Sequence, residues 1–394
     1  MSNGLFRQST LNKGGSSEWP YWRSLAATLS NPYIERWKEK GGAVVGYYCT
    51  YVPVEIIHAA GMLPYRMRAT GSTSSELGDV YAWYSTCTFC RHSLDQAMRG
   101  EYKFLDGLVA LYSCDHVRRL YDTWKAGKVE LPHSPYYLHF LSMPFKVEAE
   151  VEEWLASQFA GFRRSLEEHF QVAITDDALR RSIEVYNEKR KLLRALYELR
   201  KQKAPPITGT EVVEILIAST AMPVEEFNQM LKTVLEELRG RDGSAAHTTR
   251  ILLGGGELED PEYVRLIEDL GGLVVADFLC YGVRDFWDLV DEGAEPMPAL
   301  AKRYVQRVSC PRMFNHSRRQ EFLMALAKEF DVDGIIIQRM RYCDAWGGES
   351  AMMHWDTRKE STPIPYMVLE REYLMGAVGQ MRTRVQAFLE TVRG

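Results

Sequence analysis

Short apolar runs, each followed by a stretch of helical spacing, occur in two groups along this chain, and a long segment between the groups carries helix periodicity alone. The first group holds GGAVVGYY from Gly41, LDGLVALYS over 105–113 and SPYYLHF over 134–140. The second holds TRILLGG, LVVADFL, VDGIIIQRMRY and PIPYMVLE. Each run is short and hydrophobic on both faces, as strands of a covered parallel sheet are. The intervening stretches read as crossover helices: VEIIHAAGM over 54–62 behind Pro53, HVRRLYDTWK, DPEYVRLIEDLGG from Asp260 to a closing Gly271, and SRRQEFLMALAKEF. Parallel strands require such crossovers, so the expected class is α/β, with two Rossmann-like or flavodoxin-like open parallel sheets.

The segment 146–242 shows apolar residues every three or four positions, as in Trp154, Leu155, Phe159, Phe162 and Leu166. Helix starts are marked at Thr175, which precedes two aspartates, at Thr208 with Glu211 three residues on, and at Pro223. The expected organisation is therefore an N-terminal arm and helix over 1–40, an α/β domain over 41–145, a helical region over 146–242 and a second α/β domain over 243–394. A hydrophilic stretch at 239–248 serves as the linker. With 394 residues, 46% of them apolar, the chain can bury a core in each part. Its net charge of −5, from 48 basic and 53 acidic residues, excludes a broad nucleic-acid footprint. No apolar run approaches the ~18 residues of a membrane span, and the opening residues lack a signal-peptide core, so a soluble cytoplasmic protein with reduced thiols is expected.

Position distinguishes the seven cysteines. Cys49, Cys114, Cys280 and Cys343 each stand just beyond an apolar run. In open α/β sheets the loops beyond the carboxyl ends of the strands form the ligand crevice, so two facing sheets would bring these thiols to one cleft. Cys90 and Cys310 lie in the polar stretches STCTFCRHS and VSCPRMFNHS, where a core filler has no reason to sit. The joint pattern points to metal ligation, by zinc or an iron–sulfur cluster, and the absence of histidines at ligand spacing favours the cluster. Cys87 and Cys90 form a CxxC, but there is no second pair for a zinc ribbon and no strand directly before it for a thioredoxin-type redox pair.

Other motifs are sparse. No GxxxxGKS/T phosphate loop and no HExxH occurs; Gly254–Gly256 reads as a tight turn, and His58 as a core residue. Glu55, on the first turn of the helix after Cys49, reads either as a proton donor or ligand-holding group at the cleft, or as a charge that suits a helix N-terminus.

Several separate stretches carry a resemblance: GYYCTYVPVEIIHAAGMLPYRMRA, STCTFCRHSLDQAMRGEYKFLDGLVALYSCDHVRRLYDTWK, TDDALRRSIEVYNEKRKLL, AMPVEEFNQML, SCPRM, RYCDAWGGE and VGQMRTRVQAFLE. They resemble, in order, the 2-hydroxyacyl-CoA dehydratase and benzoyl-CoA reductase family, from about residue 41 onward. The resemblance implies a 4Fe–4S cluster held by three cysteines, at the matching positions Cys90, Cys114 and Cys343. It also implies a related second cluster-bearing subunit, in a heterodimer or homodimer, a separate ATP-hydrolysing iron–sulfur activator, and an acyl-CoA substrate. EIIHAAGMLP, VYNEKRKLL and PVEEFNQML look most like the smaller cluster-bearing subunit of the aromatic reductases, which implies ATP-dependent, one-electron ring reduction of an aromatic acyl-CoA. The alternatives are a dehydratase subunit of the same family and an electron-relay subunit. Cys49, Cys280 and Cys310 resemble positions used by double-cubane proteins of the superfamily, which implies an 8Fe–9S alternative and reduction of small molecules.

Overall fold

The computed structural model describes residues 19–126, 137–243, 249–358 and 364–394. The arm expected over the first twenty residues, and the second half of the linker at 239–248, fall mostly outside them. Helices α1 (Trp19–Ala27) and α2 (Pro32–Glu39) lead into the first sheet. Asn31 caps α2 by accepting from the backbone N–H groups of Tyr33 and Ile34, with Pro32 already set at the helical φ.

The first sheet contains β1 (Val44–Tyr47), β2 (Leu63–Arg66), β3 (Gly107–Leu111) and β4 (Tyr137–Leu141), in the order β2-β1-β3-β4. Helices α3 (Val54–Ala59), the single turn α4 (Glu76–Asp79), α5 (Thr88–Met98) and α6 (Asp115–Lys125) lie between these strands in the chain. Four helices follow: α7 (Ala149–Phe170), α8 (Asp176–Leu199), α9 (Gly209–Ala218) and α10 (Val224–Arg239). The second sheet contains β5 (Thr249–Gly255), β6 (Gly272–Phe278), β7 (Gly334–Met340) and β8 (Tyr366–Arg371), in the order β6-β5-β7-β8. It is accompanied by α11 (Glu262–Glu268), α12 (Val283–Phe286), α13 (Pro296–Gln306), α14 (His316–Glu329), α15 (Asp344–Thr357) and the closing α16 (Val378–Arg393). Every strand pairing is parallel. The expected α/β class with two open parallel sheets is thus observed.

Strand β2 has no counterpart in the expected elements, because LPYR contains Pro64 and proline reads against a strand. The sheet order explains its presence: β2 is an edge strand, where a missing N–H does not break a ladder on both sides, and Pro64 pairs with Val45 in register. Elsewhere local chemistry holds. Thr208 and Glu211 close a reciprocal capping box on α9, and Thr175 accepts from Ala178 N to start α8. Gly271, at φ +90°, turns α11 into β6 where a side chain would be strained.

The helical segment does not stand apart from the sheets. Leu155, Phe159, Phe162 and Leu166 of α7 share a core with Val45, Val109 and Leu111 of the first sheet, and Leu300 and Tyr304 of α13 enter the same core. Ile215, Leu216, Phe227 and Leu231 of α9 and α10 belong to the core of the second sheet instead. A buried polar tie locks three of these helices together: Arg190 of α8 donates to Glu55 Oε1 of α3, and Tyr304 OH of α13 donates to Glu55 Oε2 at 2.8 Å. Replacing Arg190 by Met should leave the fully buried Glu55 carboxylate without its cation and lower the stability of the metal-free protein by about 3–5 kcal/mol, read as a lower urea midpoint. A midpoint equal to wild type would show that the pair carries no such strength.

Candidate redox-group site

Both sheets have the strand order in which the chain leaves the first strand for one neighbour, then returns to build on its other side. A crevice therefore opens beyond the carboxyl ends of the two central strands. Cys49 follows β1 and Cys114 follows β3, one on each side of that reversal in the first sheet; Cys343 follows β7 at the corresponding place in the second. Two residues here hold left-handed backbone angles, Cys49 at φ +77° and Tyr342 at φ +65°. Such angles cost about 1–3 kcal/mol each in residues with a Cβ, and they persist where surrounding structure enforces them.

Three of the thiols occupy equivalent positions on three helices. Cys87 is the N-cap of α5, Cys114 of α6 and Cys343 of α15. The Cys114 sulfur accepts from the backbone N–H of Val117 at 3.5 Å. Each helix end carries unsatisfied N–H groups and a partial positive charge, which favours a thiolate over a thiol by roughly 0.3–1 kcal/mol at an exposed site.

Cys87 and Cys90 share one hydrogen bond, and it splits their acidities. The bond from Cys90 is the largest influence on Cys87; burial opposes it, His116 adds to it, and the thiol is pulled down to about 5. Cys90 moves the other way, held as a thiol first by that same bond and then by burial. His116 rises above its ordinary value chiefly through its bond with Cys87, and its Nδ1 also accepts from the Cys87 backbone N–H at 3.1 Å. Cys114 and Cys343 lie within electrostatic reach of both members of this pair.

The other three cysteines form a second set, since Cys49 and Cys280 each lie within electrostatic reach of Cys310. Cys49 also reaches Cys114, and Cys343 reaches Cys310, so the sets adjoin. Buried cations surround this second set. Arg66 donates to the Cys280 carbonyl at 2.9 Å, pairs with Glu257 at 3.1 Å and stacks 3.5 Å over Tyr281. Arg284 lies within electrostatic reach of Cys280 and Cys310, and Arg307 donates to the Thr50 carbonyl at 2.9 Å beside Cys49.

The six cysteines expected as ligands are thus linked by electrostatic proximity into two adjoining sets, but they differ in presentation. Cys90 is 3% exposed and packs in a hydrophobic core with Phe89, Leu94 and Val117, one turn behind Cys87. Cys87 stands at the helix end itself. The CxxC spacing could have exposed this difference, because a helix that starts at Thr88 puts its first cysteine at the cap and its second on the inward face. Glu55 takes neither role expected for it at the cleft: both of its oxygens are engaged by Arg190 and Tyr304. Burial would raise its carboxyl, but Arg190, with Arg303, overcomes that and holds it below the usual range.

The donor set suits an iron–sulfur group. Among the described residues no three His, Cys, Asp or Glu side chains are grouped to hold a single metal ion. A cluster of several irons spreads its thiolates wider than one ion does, and thiols are its usual donors. Orphaned donors in the same crevice, Arg284 Nε and Arg307 Nε, have no protein partner. They are the unspent polar contacts that a bound anionic group would meet.

A two-sheet α/β protein whose crevice gathers cysteines at helix ends is a class that comparison narrows to a family. The family described as 2-hydroxyglutaryl-CoA dehydratase, D-component, matches residues 49–392, and the chain belongs to it, within the wider 2-hydroxyacyl-CoA dehydratase and benzoyl-CoA reductase family. The chain is 27% identical over 367 residues to a benzoyl-CoA reductase subunit of Thauera aromatica, covering 91% of this chain and 93% of that one. It is 25% identical over 371 residues to the (R)-phenyllactyl-CoA dehydratase beta subunit of Clostridium sporogenes, covering 92% and 96%. It is 24% identical over 368 residues to the (R)-2-hydroxyglutaryl-CoA dehydratase beta subunit of Acidaminococcus fermentans, covering 91% and 95%. Among the described residues no helix is long and apolar enough to cross a membrane.

The Cys87–His116 pairing has a direct readout. In metal-free protein kept anaerobic, iodoacetamide should modify Cys87 with an apparent pKa near 5, before Cys90, as followed by peptide mass spectrometry. His116→Ala should move that value upward. Equal rates at Cys87 and Cys90 across pH 5–8 would contradict the arrangement.

Proposed function

We propose that this chain is the cluster-bearing subunit of a low-potential acyl-CoA enzyme, with aromatic acyl-CoA (benzoyl-CoA type) reduction as the leading activity. The observation that carries this reading is that three cysteines at helix N-cap positions, from both halves of the chain, lie within electrostatic reach of one another. We assign Cys87, Cys114 and Cys343 as the thiolates of a 4Fe–4S cluster, with Cys87 in the place expected of Cys90. Cys90 then donates its hydrogen bond to the Cys87 sulfur, as such bonds do in tuning a cluster's potential.

When bound, a cluster of this kind supplies single electrons at low potential, which ring reduction and the loss of an unactivated β-hydroxyl both require. The chain's own groups bind and orient. Burial pushes the Cys114 thiol up to about 12 and the Cys343 thiol up as well, the helix ends offset part of that, the Cys87–His116 pair keeps one ligand deprotonated, and the buried walls exclude water. In this reading a separate ATP-hydrolysing iron–sulfur activator delivers the electron, since the chain has no phosphate loop of its own. A strand order of 2-1-3-4 in both sheets agrees with a flavodoxin-like pattern.

A partner subunit is part of the reading, because the relatives are themselves subunits. The loop leading to Cys87 carries Val80, Trp83 and Tyr84, and Phe314 follows Cys310; all four are at least 69% exposed, an apolar rim that a second, related subunit would cover. We place the assembly in the cytoplasm, where thiols stay reduced. The dehydratase reading stands second, favoured by relatives at nearly equal identity. An 8Fe–9S group is the second reading of the cofactor, favoured by the adjoining set of Cys49, Cys280 and Cys310.

Anaerobic purification with iron and sulfide analysis tests the cofactor. About four irons per chain are expected, or about eight if both sets are filled. Cys87→Ser, Cys114→Ser or Cys343→Ser should each remove most of the iron of the first set, whereas Cys90→Ser should keep it and shift its potential. Iron retained in Cys87→Ser but lost in Cys90→Ser would restore Cys90 as the ligand, and a colourless, iron-free wild type would end the reading. For the substrate, EPR of the loaded protein should change on adding benzoyl-CoA and not (R)-2-hydroxyacyl-CoA thioesters; the reverse result selects the dehydratase.

A further inference from the structure

Charge around Cys49, Cys280 and Cys310 does not balance within the protein. Arg66 has a carboxylate partner in Glu257. Arg284 and Arg307 have none among the described residues, although each is only 3% exposed. Arg284 donates to the Gly255 carbonyl and lies within electrostatic reach of Cys280 and Cys310, and its guanidinium carbon lies 5.0 Å from the Trp346 ring centre and 5.2 Å from that of Phe278. Arg307 donates to the Thr50 carbonyl and hydroxyl and lies 4.2 Å from the Tyr51 ring centre. The Nε of each has no acceptor. Neutral carbonyls and ring faces satisfy part of a guanidinium's hydrogen bonding but leave its charge uncompensated, and an unpaired charge in a buried site is costly. Two such charges beside one set of thiols call for an anionic partner.

We propose that Arg284 and Arg307 are the counter-charges of an anionic inorganic redox group seated on Cys49, Cys280 and Cys310. They act as positioning residues that make this second thiol set a cluster site in its own right. The inference rests on the iron–sulfur reading above and extends it from the helix-end set to the arginine-walled set. Thiolate ligation makes an iron–sulfur unit negative, so its binding supplies the charge that the protein withholds, and the unspent Nε–H groups become donors to its sulfurs.

Arg284→Met and Arg307→Met test this, since methionine keeps much of the buried stem and removes the charge. Metal-free variants should unfold at the wild-type denaturant midpoint or above it, because an uncompensated buried charge has been removed. After anaerobic reconstitution, the same variants should lose iron from about eight per chain towards about four, or hold the second group at a more negative midpoint potential. Arg284→Lys, which restores the charge, should recover most of the iron. A purely structural role predicts the opposite pattern, with metal-free and loaded variants destabilised alike, and that result would overturn the proposal. So would a wild type with about four irons that Cys280→Ser leaves unchanged, an outcome that spares the helix-end cluster. A wild type with no iron at all would instead remove the reading on which the proposal rests.

Discussion

Positive charge around the cysteines, only part of it matched by carboxylates, is the constraint on which the site depends. It has two sources with different physics. Helix ends α5, α6 and α15 contribute partial charges fixed by backbone geometry, each worth only about 0.3–1 kcal/mol where solvent reaches. Guanidinium groups contribute whole charges, in places where burial removes the screening of water. The first kind suits thiolates at helix ends, where Cys114 is exposed, and the second kind suits thiols ringed by buried arginines. The two cysteine sets differ accordingly: one is capped by helices and adjoined by His116, the other is walled by Arg66, Arg284 and Arg307.

The fold supplies this convergence through repetition. Each sheet reverses direction between the same pair of strands, so each opens its crevice at the same end, and the shared helices hold the two openings against one another. Glu55 belongs to that holding function. It sits near the cysteine loop in sequence, yet its carboxylate is consumed in joining α3, α8 and α13, so that a group resembling a cleft acid is a joint between layers. Arg190 and Tyr304 come from far along the chain, which is why a reading of the local helix end could not find them.

Much of the architecture was legible because its signals are local. Apolar runs bounded by glycine, caps at Thr175 and Thr208, and Pro223 at a helix start depend on a few neighbouring residues, and the strands and helices they mark are observed. Strand β2 was hidden by Pro64, whose effect on a strand depends on whether that strand is an edge, a property of the sheet as a whole. Helix α15 was hidden for a different reason: DAWGGESAMMHWDT has paired glycines and little amphipathic pattern, and it is the packing of Trp346 and Met353 that holds it.

At the site, the distinction between Cys87 and Cys90 shows how function can turn on one helical turn. Two residues separate the two thiols, a spacing of nearly a full turn, yet one lies at the point where the helix offers free N–H groups and the other lies where the helix meets the core. Their shared proton sharpens the difference, because whichever thiol keeps it becomes a donor and the other an anion. His116, placed by α6 beside Cys87, favours the outer thiol as the anion, and its Nδ1 accepts from the Cys87 backbone N–H. A ligand and its hydrogen-bond donor are thus supplied by a single CxxC, with the helix start between them setting which is which.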